Sequence, residues 1–171
     1  MHMLVSTLRV AMFLSVLATG PAFAADEPPC ELLTRPQVAT VVGEGTIGTQ
    51  YGLEDLPQRR AKGREPTPID VCVWSVRETQ SVVEVHLVVA PPDRELALAT
   101  LGEHGRRHRD DEQEFGAVSC WSETLPKPQF PSAACVGNVK GNTLKVLFRS
   151  KTAKPTIRHA KSLFDLAAAG L

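Results

Sequence analysis

The chain has 171 residues, with 19 Lys+Arg against 19 Asp+Glu, 43% apolar and 5% aromatic residues, and four cysteines. Balanced charge excludes a wholesale nucleic-acid binder, the apolar content excludes a disordered chain, and the length is short for two full domains.

Met1 to Ala24 reads as a secretory signal peptide. One basic residue, Arg9, precedes the apolar run Val10 to Leu17, and small residues at Ala22 and Ala24 set a cut after Ala24. That run is shorter than the roughly 20 residues that span a bilayer, so no membrane span is expected after cleavage. Cys30 follows Glu27-Pro28-Pro29, where acylation would need small and apolar residues, and is expected to be structural. Residues 25–171 are then one globular domain of 147 residues with charge 18 − 19 = −1, secreted or periplasmic. A chain of that size buries about 70% of its unfolded surface and does not strictly need disulfides. All four cysteines nevertheless lie in the mature part, in an oxidising compartment. Of the three connectivities open to four cysteines, we favour Cys30 to Cys72 and Cys120 to Cys135, because each closes within one half of the chain.

Thr34 as N-cap, Gln37 three residues on, Pro36 in the first turn and a Leu33–Val38 staple predict a helix that Gly43 ends. The letters Gly43-Glu44-Gly45-Thr46-Ile47-Gly48 match G-x-G-x-x-G, but a dinucleotide fold places that motif between a strand and a helix. Here it follows a helix, so it reads as a helix exit, and no cofactor is expected. From Gly45 to Pro68 the chain is polar, with a short strand at Thr46 to Gln50 and then a loop carrying Arg59, Arg60, Lys62 and Arg64. Val71 to Val76 and Val82 to Val89 form a hairpin. Val83, Val85, Leu87 and Val89 face a core, while Glu84 and His86 share the outward face.

Pro91-Pro92-Asp93 starts a second helix, with Leu98 and Leu101 on one stripe, which fades into the charged stretch Arg106 to Glu114. The second half repeats the grammar. Gly116 to Glu123 is a strand, a Pro-rich loop follows, and Ala134 to Val139 with Thr143 to Arg149 make a hairpin turning at Gly141-Asn142. Leu144, Val146 and Phe148 alternate with Lys145 and Arg149, as in a half-buried strand. A last helix begins at Pro155 with Ile157, Ala160, Phe164 and Ala167 on one face. Cys72-Val73-Trp74 and Cys120-Trp121 suggest two loosely similar halves. The pattern predicts class α+β: an antiparallel sheet with helices packed on one face, braced by disulfides.

Little in the sequence points to catalysis. No Gly-x-Ser-x-Gly elbow occurs, oxidised cysteines are poor nucleophiles, and the acid pairs Glu54-Asp55 and Asp110-Asp111 are sequence neighbours that point apart. His104 and His108 would share one side of a helix within reach of a metal ion. Gly105 weakens that helix and Arg106, Arg107 and Arg109 crowd it, so no metal is expected. Charge placement says more. No acid lies between Glu123 and Asp165, whereas Lys127, Lys140, Lys145, Arg149, Lys151, Lys154, Arg158 and Lys161 supply eight bases. Either this stretch and the acid-rich segment 93–123 face each other across the sheet, or the bases join the Arg59 to Arg64 loop in a surface for an anionic envelope component or an acidic protein. Nucleic acid is not an expected partner, because the compartment is wrong and stacking aromatics are scarce. The segment Thr124 to Ser132 lies inside the Cys120 to Cys135 loop and reads either as a Pro-rich crossover whose Phe130 folds back onto the core or as a Pro-restricted frame that presents Leu125 and Phe130.

Cys30-Glu31-Leu32-Leu33-Thr34 leading into a short helix ending at Gly43, then Cys72-Val73-Trp74, resembles a family of uncharacterised bacterial envelope proteins, many of them actinobacterial lipoproteins. The resemblance covers mainly residues 30 to 90 and departs at the N-terminus, where this chain lacks a lipobox. It implies an envelope location and a cysteine framework, and transfers no catalytic residue. The expectation is a secreted or periplasmic, non-enzymatic binding domain. The alternatives are an inhibitor of a secreted hydrolase presenting residues 124–132, and an envelope enzyme or metal carrier centred on His104 and His108.

Overall fold

The computed structural model describes residues 29–55, 68–103, 109–124 and 130–171. The expected signal peptide, the Arg59, Arg60, Lys62 and Arg64 cluster and the His104–His108 pair lie outside the described residues.

The described chain is α+β. Helix α1 (Arg35–Val42) precedes three strands, β1 (Ile47–Asp55), β2 (Pro68–Val76) and β3 (Ser81–Val88). Helix α2 (Arg94–Glu103) leads to four more, β4 (Arg109–Phe115), β5 (Val118–Glu123), β6 (Ser132–Val139) and β7 (Asn142–Ser150), and α3 (Ile157–Gly170) closes the chain. All seven strands form one sheet in the order β1-β2-β3-β7-β6-β5-β4, and every adjacent pair is antiparallel. The sheet is therefore two meanders, β1-β2-β3 and β4-β5-β6-β7, fused where β7 pairs with β3.

Local chemistry sets the element ends. Thr34 caps α1 with a full capping box: its hydroxyl accepts from the Gln37 backbone, and Gln37 Oε1 accepts from the Thr34 backbone at 2.8 Å. Asp93 accepts the Leu96 N–H at 2.9 Å to open α2, and Thr156 accepts the His159 N–H at 3.3 Å to open α3. The β6–β7 hairpin turns on Lys140-Gly141 between paired Val139 and Asn142, one residue earlier than the sequence pattern predicts. Both turn residues have positive φ, 46° and 91°, which is the two-residue hairpin geometry that matches strand twist and favours glycine at the second place.

Alternation sorts the strand residues onto two faces. Cys72, Trp74, Val76, Val83, Val85, Leu87, Cys135, Leu144, Val146 and Phe148 face α1 and α3, whose Val38, Val42, Ile157, Ala160, Leu163, Phe164 and Ala167 complete this larger core. Gly137 lets α3 approach: a Cβ there would lie 3.2 Å from the Phe164 ring. Ile69, Val71, Val88, Trp121, Ala134 and Val136 point to the other face, where Ala97 and Leu101 of α2 cover them. The helices thus pack on both faces rather than on one. Strands β2, β5 and β6 carry apolar residues on both sides, and a single helix layer would leave Trp121 and Val136 in water.

Both expected disulfides are present, Cys30–Cys72 and Cys120–Cys135, with Cα separations of 5.1 and 4.0 Å. The first straps the segment before α1 to β2. The second joins directly paired residues of β5 and β6. The echo between halves does not extend to equivalent positions. Trp74 shares its face with Cys72 in the larger core, whereas Trp121 adjoins Cys120 in sequence and so points to the α2 face. Two further differences concern strands. β1 is nine residues long rather than a five-residue strand followed by loop, and the charged stretch after α2 contains β4, whose last six residues are all exposed.

Candidate functional site

Two of the candidate binding residues, Lys145 and Arg149, lie four apart on β7 and therefore on the same face, the one α2 packs against. They do not form a solvated basic surface. Lys145 is only 5% exposed, and burial pushes its amine down to about 8, an effect that the Glu123 carboxylate opposes and the Arg109 charge reinforces. Its Nζ sits 5.8 Å from the Trp121 ring centroid. The Arg149 guanidinium pairs with Glu84, burial lowers its pKa, and Glu84 also contacts the His86 imidazole at 3.2 Å. Glu84 and His86, expected on an outward face, are thus half-enclosed members of an ionic row. The alternating pattern of β7 implied one wet face; α2 covers much of it instead.

Around Trp121 the polar groups are tied to one another. The buried indole N–H donates to Glu123, and the Ser132 hydroxyl donates to the second Glu123 oxygen at 3.3 Å. The Arg109 guanidinium stacks over the indole at 4.0 Å. It also pairs with Glu112 and donates to the Gly102 carbonyl, where a cation complements the C-terminal end of α2. This cluster supplies one carboxylate and two cations in a covered setting. Among these groups the buried Arg109 Nε has no hydrogen-bond partner.

The rest of the acid-free stretch is dispersed by the fold. Lys140 occupies the β6–β7 turn, Lys151 follows the opposite end of β7, and Lys161 pairs with Asp165 at 2.7 Å. Lys145 is buried and Arg149 is paired, and Arg158 lines the same groove as Lys161. Phe130 is 37% exposed, just before β6. Among the described residues there is no group of three His, Cys, Asp or Glu side chains placed to hold a metal ion.

A surface the sequence did not suggest lies on the opposite side of β5's hairpin. β4 ends the sheet, and its Asp111, Gln113 and Phe115 line a groove of about 630 Å³ whose other wall is α3, with Thr156, Ile157 and Lys161 among its residues. Phe115 is 41% exposed there, and the Lys161 ammonium lies 5.4 Å from its ring centroid. A helix running beside an unpaired strand edge is the arrangement in which an extended peptide finds main-chain partners and side-chain pockets together. The signal available beforehand was Phe115 itself, an aromatic ending an otherwise charged run.

No family model matches the chain, and no curated protein matches it. Among solved structures it is similar to an SsgA-like sporulation-specific cell division protein from Thermobifida fusca YX-ER1, at 14% identity and a TM-score of 0.20, over 71% of this chain and 80% of that one. A likeness at that score carries no argument about fold or function.

Proposed function

We propose that the chain is a secreted or periplasmic, non-enzymatic domain that binds another protein at the cell envelope. The observation that carries this reading is the open groove between the edge strand β4 and α3, with Phe115 exposed in it. The pattern of residues 1–24 supports the location, as do two disulfides, which persist outside the reducing cytosol. No helix among the described residues is long and apolar enough to cross a membrane. The basic-surface version of the reading, through Lys145 and Arg149, loses support because one is buried and the other is paired.

Photo-crosslinking tests the proposal. A benzoylphenylalanine at Gln113, in the groove, should give a discrete protein adduct in cells exporting the chain, and the same group at Tyr51, on the far sheet edge, should not. Absence of any adduct at Gln113, or equal adducts at both sites, defeats it. Export is checked by the mass of the released protein, expected to begin at Ala25.

One observation favours a second reading, inhibition of a secreted hydrolase. Phe130 is exposed beside a hairpin that the Cys120–Cys135 bridge holds together, so an inhibitory contact there has little ordering left to lose. Phe130→Ala should then abolish inhibition across a panel of secreted proteases and glycosidases, whereas a chain that inhibits none of them retires this reading.

A further inference from the structure

We infer that the groove takes an extended basic peptide, which adds to β4 as an eighth strand and drops alternate side chains between β4 and α3. The inference rests on the protein-binding reading above and supplies its mode and ligand chemistry.

Hydrogen-bond geometry gives the first support. Among the described residues β4 pairs with β5 alone, in the register Phe115 to Val118, Glu114 to Ser119, Gln113 to Cys120 and Glu112 to Trp121. Gly116 and Ala117 make a two-residue turn between the closing pair Phe115 and Val118. In such a hairpin the closing pair is hydrogen-bonded and alternate pairs are not. The N–H and C=O groups of Glu112 and Glu114 therefore point away from β5, toward the free edge. Seven residues of strand give that edge a length of about 23 Å, room for a peptide of about six residues.

Side chains supply the rest. An antiparallel or parallel guest strand alternates its side chains, so every second one faces α3. There the exposed Phe115 offers apolar surface, and the mostly buried Ile157 and the Lys161 stem border it, a place for a Val, Ile or Leu side chain. Charge selects the flanking residues. The groove lining is balanced, Asp111 and Asp165 against Arg158 and Lys161, but along the edge β4 carries Asp110, Asp111, Glu112 and Glu114 against Arg109 alone, −4 + 1 = −3. Opposite charges across a strand pair stabilise and like charges destabilise, so the guest is a strand with Lys or Arg between its apolar residues. A second copy of this chain does not meet that description. Its own β4 would set acids against acids, and β1, the other sheet edge, ends in Glu54-Asp55. Charged residues on an edge strand also deter self-association, which is the same selection seen from the side of the excluded partner.

The test uses the disulfide-intact mature chain and two fluorescein-labelled peptides, Lys-Val-Lys-Val-Lys-Val and its twin Glu-Val-Glu-Val-Glu-Val, followed by anisotropy. The basic peptide should bind saturably and lose affinity as salt rises, and the acidic twin should bind at least ten-fold more weakly. Glu114→Pro removes an outward donor and should weaken binding at least ten-fold. Glu114→Gln, which keeps the donor and removes one charge, should cost only a few-fold. Amide shift changes on the wild-type chain should cluster on β4 and α3, which keeps the test decisive even if the proline variant misfolds. Equal binding of both peptides, shifts confined to another surface, or no saturation by the basic peptide overturns the inference. If Gln113 still crosslinks a protein in cells under any of those outcomes, the protein-binding reading survives and only strand addition by a basic segment is lost.

Discussion

Lys145 makes the stability of this protein rise with alkaline pH. Its amine titrates near 10.5 in an unfolded chain and at about 8 in the folded one, because burial disfavours the ammonium more than Glu123 favours it. Below pH 8 both states hold the proton and the cost of burying the charge is constant. Between the two values the unfolded chain holds a proton that the folded chain has released, so unfolding becomes harder as pH rises. A depression from 10.5 to about 8 corresponds to roughly 3 kcal/mol in full, of which about 2 kcal/mol is gained between pH 7 and pH 9.5. Urea titrations at half-unit intervals over that range should show this increase in the wild type and its loss in Lys145→Met, with m-values unchanged in both. Tyr51 works in the opposite sense only above its ordinary range: the hydrogen bond to Asp70 raises its pKa, so its phenol resists ionisation in the folded state. Stopping at pH 9.5 keeps it out of the comparison. Parallel stability profiles for wild type and Lys145→Met would show that the amine is not desolvated as the fold implies.

Further expectations concern the framework. Thr34→Ala removes the hydroxyl half of the α1 capping box and should lower unfolding free energy by about 1 kcal/mol in chemical denaturation. Replacing both cysteines of a bridge by alanine should cost about 3 kcal/mol for Cys120–Cys135 and about 4 kcal/mol for Cys30–Cys72, since the sequence separations are 15 and 42. Equal losses would argue against loop closure as the source. Trp121→Phe leaves Glu123 without its indole donor and should cost about 1–3 kcal/mol beyond the packing change, measurable as a drop in midpoint that Trp121→Phe combined with Glu123→Gln partly restores. Phe164→Ala empties a fully enclosed position between α3 and β6 and should cost about 3–5 kcal/mol by thermal or denaturant unfolding.

Much of the fold is legible where local rules act strongly. Thr34, Gln37 and Pro36 announce α1, β-branched runs announce β2 and β3, and the spacing of Ile157, Ala160, Phe164 and Ala167 announces the buried stripe of α3. β4 is not legible, because Arg-Asp-Asp-Glu-Gln-Glu-Phe has no apolar alternation. It is a strand through its ladder with β5, not through a face of its own. The placement of α2 is hidden for a related reason: two apolar stripe residues do not say which side of a sheet they will meet. That choice decides the candidate site. With α2 on the second face, Lys145 and Arg149 pass from exposed bases to enclosed ones. A clue was present in Cys120-Trp121: neighbours on a strand point to opposite faces, and a disulfide on one side with a tryptophan on the other already called for cover on both. The groove beside β4 needed the strand order, which no local pattern records.

The pairing of β7 with both β3 and β6 has a consequence for how the chain reaches its final form. β7 is the last strand in chain order, yet it fills the middle of the sheet. Until it arrives, β3 has β2 on one side only, and the Ser-Val-Val-Glu-Val-His-Leu-Val strand offers a bare, β-rich edge of the kind that recruits other chains. Joining the two meanders requires contacts across more than sixty residues, Val83 to Phe148 among them, and such distant closure is slow. Assembly of this protein is therefore decided by its last 30 residues: a chain truncated before Asn142 keeps most of its strands and loses the seam that makes them one sheet.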